Sequence, residues 1–77
     1  MWVYIIYSEV KDKYYTGITK DLNNRLKEHN QGKTRATKSG VPWRLEWCRE
    51  VHDRGEACNL ERKIKKRGAY RYLKDKD

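Results

Sequence analysis

The sequence predicts a small α+β domain whose elements run β-β-α-β-α and close with a short helical turn. Three observations carry this. Residues 2–7 and 14–18 are aromatic and β-branched runs separated by a polar, turn-like segment, which reads as an antiparallel hairpin. Trp43, Leu45, Trp47 and Val51 alternate with Arg44, Glu46 and Cys48, as in a half-buried third strand. Leu22 and Leu26, and then Ala57, Leu60 and Ile64, recur at helical spacing.

Each element has a local reason. Residues 2–7 are apolar on both faces, which predicts a central strand covered on both sides. Trp2, Tyr4 and Ile6 share one face, and Val3, Ile5 and Tyr7 the other. In the second strand Tyr15 and Gly17 share a face, and Gly17 leaves room for a close approach to the backbone or for a bulge. Thr19 is placed to cap the first helix, Asp21 puts negative charge in its first turn, and Gly32 follows its expected end at Asn30 or Gln31. Residues 30–42 hold Lys33, Arg35 and Lys38 with no acid, which predicts an exposed, mobile basic loop suited to phosphate contact. Residues 43–51 follow Pro42, with Arg49 breaking the inward alternation. Residues 53–56, Asp-Arg-Gly-Glu, resemble a capping box that opens the second helix. That helix is expected to run to about Lys66 and to stop at Gly68, after which residues 69–73 form a turn packing Tyr70, Tyr72 or Leu73, and residues 74–77 fray.

Composition narrows the class. A chain of 77 residues, read as one domain spanning 1–77, buries a limited core. No apolar run reaches transmembrane length and no signal peptide is recognised, so no membrane partner is expected. Cys48 and Cys58 lack metal-ligand spacing and read as reduced, partly buried thiols of an intracellular, cytoplasmic protein. A net charge of +8 attracts polyanions and argues against a domain that serves protein recruitment alone. The 3 tryptophans and 6 tyrosines, with no phenylalanine, build the core and can stack on bases. Residues 54–77 carry nine Lys or Arg against four acids, a second basic region.

Three side chains stand out from the helical pattern. Arg25 and His29 lie beside the Leu22–Leu26 stripe, so Arg25 is either aimed into a cleft or snorkels past the leucines to solvent. Glu61 falls about 40° from Ala57 on the helical wheel, close to the buried side. A carboxylate there needs either a cationic partner such as Arg25 or a metal ion.

Together these residues resemble the GIY-YIG nuclease domain. Val3-Tyr4-Ile5-Ile6 on the first strand, Tyr15-Thr16-Gly17 on the second, Arg25 and His29 on the next helix and Glu61 within Leu60-Glu61-x-x-Ile64-Lys65 follow its order and spacing over nearly the whole chain. The match is closest to the small stand-alone YhbQ-like (UPF0213) group. Two departures stand against it: Trp2 and Val3 occupy the glycine and isoleucine positions of the first motif, and residues 62–77 lack the asparagine many members carry.

The resemblance implies a three-stranded antiparallel sheet flanked by helices, sandwich-like, and a metal-dependent endonuclease of low sequence specificity. Its substrate would be DNA, including branched or damaged structures in repair or recombination, with RNA left open. The alternative is a catalytically weak or inactive nucleic-acid-binding module of the same fold, as a monomer or weak homodimer. Carried over, Tyr4, Tyr15, Arg25, His29 and Glu61 are the catalytic candidates, and Glu61 would hold one Mg²⁺ or Mn²⁺ ion. Arg25 and the metal would lower the pKa of Tyr4, the preferred general base, while Tyr15 orients water and His29 is a second proton acceptor. Lys20, Lys33, Arg35, Lys38 and Lys65 are the expected phosphate contacts, with Lys65 or Arg71 standing in for the missing asparagine.

Overall fold

The computed structural model describes residues 1–75. Strands β1 (Trp2–Ser8) and β2 (Lys13–Thr19) form the hairpin, followed by helix α1 (Leu22–Asn30), a 3-10 turn at Lys38–Gly40, strand β3 (Trp43–Glu50), and helices α2 (Arg54–Arg67) and α3 (Ala69–Asp75). The fold is α+β: a three-stranded antiparallel sheet in the order β2-β1-β3, flanked by three helices.

The central strand is apolar on both faces because it is covered on both. Val3 and Ile5 are buried with Ala57 and Ile64 of α2 and Tyr72 of α3. Tyr4 and Ile6 are buried on the other face with Trp43, and Leu22 and Leu26 of α1 pack against them. Asp21, rather than Thr19, caps α1, its carboxylate accepting from the Asn24 N–H at 3.1 Å. Thr19 supports the cap by accepting from the Asp21 N–H at 3.1 Å. At α2 the capping box is nearly complete: Asp53 accepts from the Glu56 N–H at 2.9 Å, but Glu56 reaches back to the His52 N–H at 3.0 Å, one residue earlier than the ideal.

Strand β3 departs from simple alternation. Ile5 pairs with Trp47 but Ile6 pairs with Leu45, so Glu46 is one residue too many and forms a bulge. The break falls there rather than at Arg49. It sends Trp43 to the α1 side, among Tyr4 and Ile6, and Trp47 to the α2–α3 side, edge-on to Tyr72 with ring centroids 5.3 Å apart.

The connector after α1 is anchored rather than loose. Buried Thr37 offers its carbonyl to the Trp43 indole N–H at 2.7 Å, and Ser8 Oγ donates to the Gly40 carbonyl at 2.6 Å. Asn30 brackets the Trp43 backbone, accepting from its N–H at 2.6 Å and donating to its carbonyl at 3.0 Å. At Gly40 an added Cβ would sit 2.5 Å from the Trp43 ring, so only glycine lets the indole lie flat against the turn.

Helix α3 extends past the expected turn to Asp75, whose carboxylate receives Arg67 Nε at 2.8 Å. Of its aromatic candidates Tyr72 is buried and Tyr70 is exposed. Fraying is therefore not seen at Lys74 and Asp75, and the rest of that expectation, residues 76–77, lies outside the described residues.

Candidate active site

The site starts from one cross-strand pair. Tyr4 on β1 lies opposite Gly17 on β2. A Cβ at Gly17 would come within 2.5 Å of Tyr4 Oη, so the missing side chain is the space through which the phenol crosses β2. The phenol then reaches α1, where its hydroxyl lies 2.8 Å from His29 Nε2. Both residues have no solvent exposure (0%), and His29 Nδ1 lies 2.7 Å from the Thr37 hydroxyl.

The proton order along this chain follows from its end. The Thr37 hydroxyl donates to the Thr34 carbonyl at 3.4 Å, and a carbonyl only accepts. Thr37 Oγ therefore accepts from His29 Nδ1–H, which leaves Nε2 with its lone pair toward the Tyr4 O–H. Burial lowers the His29 pKa below 6.5, helped by the nearby Arg25 charge and opposed by Glu28. Both groups are neutral at pH 7.

The Tyr4 pKa moves opposite to the expectation. It is pushed up from 10.0 to about 12, first by burial and next by the adjacent Tyr15 phenol. The nearby Arg25 charge lowers it and Glu61 raises it, so the cation only offsets part of the desolvation. Tyr15, Arg25 and Glu61, which come from β2, α1 and α2, each bias the titration of this phenol on β1.

The other candidates are half-buried. Tyr15 is half-buried, its ring edge-on to His29 at 5.3 Å and to Trp43 at 6.5 Å. The Arg25 side chain is 40% exposed and pairs with Glu28 at 3.1 Å on its own helix. Glu61 pairs with Lys65 at 3.3 Å, one turn on. The alternative of an Arg25–Glu61 ion pair is thus not realised, because each charge has a neighbour at helical spacing. Both pairs are surface pairs that add little to stability and are easily exchanged for another partner.

Beside this constellation runs a groove of about 480 Å³ along β2, lined among others by Lys11, Lys13, Tyr15, Ser39 and Lys65. Of the expected phosphate contacts, Lys65 lines it. Lys33, Arg35 and Lys38 are exposed on the anchored loop whose Ala36 and Ser39 form part of its wall. Lys20 lies apart, in a shallow depression with Trp2 and Leu22. Arg71 lies in a different groove. Sequence reasoning missed Lys11, Lys13 and Thr37; the lysines flanking an aromatic strand were a usable signal, whereas nothing local marks Thr37.

Among the described residues no group of three or more His, Cys, Asp or Glu is gathered as a metal cage. A hard cation that keeps most of its waters needs less than a cage. Glu61, its side chain 23% exposed and paired with the exposed Lys65, fits such an ion.

Comparison with known proteins places the chain in a family. The model of the GIY-YIG catalytic domain matches residues 1–72, and the chain belongs to that family. It is 40% identical over 52 residues to a UPF0213 protein of Aeromonas hydrophila subsp. hydrophila, a match covering 66% of this chain and 38% of that protein. No solved structure matches. The GIY-YIG domain is in general a nuclease domain that depends on a divalent metal and acts on nucleic acid.

Proposed function

We propose that the protein is a metal-dependent endonuclease that hydrolyses DNA phosphodiester bonds with little sequence preference. The observation that carries this reading is the buried hydrogen bond between Tyr4 and His29, with Tyr15 edge-on to the same imidazole, in a chain of the GIY-YIG family.

The residues divide the work as follows. Arg25 exchanges its exposed Glu28 partner for the non-bridging phosphate oxygens, to which it offers a planar fork. Tyr4 is fully buried at rest, so water reaches it only when the side chains over it move. Tyr4 then takes a proton from the attacking water as its own passes to His29 Nε2, and Thr37 holds the imidazole in the accepting tautomer. Tyr15 orients that water from the groove side, and Lys11, Lys13 and Lys65 draw in the backbone. Glu61 would hold a Mg²⁺ or Mn²⁺ ion, which when bound would supply Lewis-acid stabilisation of the developing charge. The groove is lined by lysines, which contact phosphate and carry no sequence information, and this supports low sequence specificity.

The test is cleavage of plasmid and branched DNA with Mg²⁺ or Mn²⁺, comparing wild type with Glu61→Ala and Tyr4→Phe. Cleavage by wild type that both substitutions reduce at least 100-fold supports the reading. No cleavage of any substrate, with salt-sensitive binding intact, replaces it with the binding-module alternative.

A further inference from the structure

Helix α2 is basic on two flanks, and the site uses only one. Lys65, paired with Glu61, lines the first groove. On the other side Lys63, Lys66 and Arg67 join Arg71 of α3 around a second groove of about 680 Å³, with Tyr72 in its wall and Asp75 at its rim. The two grooves share no lining residue.

The charge balance of this second groove is one-sided. Residues 62–74 hold seven cations and no acid. Asp75 is taken by Arg67, at 2.8 Å to both Nε and Nη2, and that guanidinium holds its carboxyl below the usual range. Lys63, Lys66 and Arg71 form no ion pair among the described residues. Three excess positive charges around one concavity repel each other, a cost removed when an anion of matching multiplicity enters. A strand of phosphates has that multiplicity. The groove is also lined by arginine, whose fork suits phosphate oxygens.

We propose that the α2–α3 groove is a second phosphate-backbone site for the same nucleic acid, so that α2 is gripped from both flanks when substrate is bound. The proposal rests on the nucleic-acid reading above and extends it to a larger footprint than the cleft alone requires. Substrate longer than the domain engages both grooves, and short substrate engages one.

The experiment measures binding by fluorescence anisotropy in EDTA, which stops turnover, across a salt series. Duplexes of about 6 and about 20 base pairs, at ~3.4 Å per pair, are shorter and longer than the 28 Å long axis of the domain. Wild type is compared with the triple variant Lys63→Gln, Lys66→Gln, Arg71→Gln, whose thermal unfolding and circular dichroism confirm that it folds. These side chains are exposed, so the fold is expected to hold. For the long duplex the slope of log affinity on log salt falls by about 2–3 in the triple variant, one unit per lost phosphate contact, and the short duplex is unaffected. An unchanged slope on the long duplex overturns the proposal while leaving the nuclease reading intact. So does a triple variant that loses binding to vesicles of phosphatidylserine but keeps full duplex binding. Absence of duplex binding by wild type at low salt overturns the reading on which the proposal stands.

Discussion

The Tyr4 hydroxyl lies 2.8 Å from His29 Nε2 with neither residue open to solvent. A buried donor and acceptor matched in this way are costly to separate, because removing one leaves the other desolvated and unpaired. Tyr4→Phe is therefore expected to lower stability by about 1–3 kcal/mol, read as a shift in urea midpoint with the slope unchanged. Its cleavage rate should fall further than Tyr15→Phe, because Tyr15 only orients the water. Equal losses for the two variants would move the base to Tyr15.

The pH dependence of stability follows from His29. Burial holds its folded pKa below the unfolded value of 6.5, so below that pH the unfolded chain binds a proton the folded one refuses. The stabilisation is complete above 6.5 and is lost as pH falls toward the folded pKa. Urea midpoints measured between pH 8 and pH 5 should stay level and then drop. Since His52 is exposed, His29→Gln should flatten this acid limb. An acid limb that persists unchanged in the variant would assign it to other groups.

Tyr4 gives the alkaline counterpart. Its pKa rises from 10.0 unfolded to about 12 folded, so between these values the unfolded chain has lost a proton that the folded chain keeps. Stability should fall as pH rises through that window, and Tyr4→Phe should show a smaller fall. Phenolate absorbance during alkaline unfolding supplies the check.

Thr37 decides which nitrogen of His29 carries the proton. Thr37→Val keeps the volume but removes the oxygen that accepts Nδ1–H, and it leaves a buried donor unpaired, at a cost of about 1–3 kcal/mol. The imidazole should then shift toward the Nε2–H tautomer, which cannot accept from Tyr4. Nitrogen chemical shifts of His29 would report the change directly. Thr37→Ser should restore both the tautomer and cleavage; a serine variant as impaired as valine would confine Thr37 to packing.

These relationships differ in how far they could be read from sequence. The leucines of α1 and the Ala57, Leu60 and Ile64 stripe of α2 follow a single local period, and period survives folding because it reflects which side faces the sheet. The two-sided burial of β1 was legible for the same reason. The bulge at Glu46 was not, since one extra residue leaves a stretch that still alternates while the faces exchange. Tyr4 could be assigned a face but not a depth, and its raised pKa is a property of depth. Thr37 was invisible because its contact with His29 is made by the way the connector folds back under Trp43. The pairing of Glu61 with Lys65 was available from spacing alone, and the attraction of a distant arginine obscured it.

Gly17 links the fold to the proposed chemistry most directly. In the Gly17→Ala variant the new methyl would meet Tyr4 Oη at 2.5 Å and Cζ at 2.7 Å, so the phenol must leave its place beside His29. Overpacking of this kind costs about 1–3 kcal/mol, and here it adds the broken hydrogen bond. The cause can be isolated by repeating the substitution with Tyr4→Leu, whose shorter side chain does not extend to the distal ring atoms that make the clash. In that background alanine should cost less than about 0.5 kcal/mol, since alanine in a strand is no worse than glycine. The two substitutions would thus be strongly non-additive in urea unfolding. An equal cost in both backgrounds would mean that the glycine answers to the strand itself and not to the phenol that crosses it.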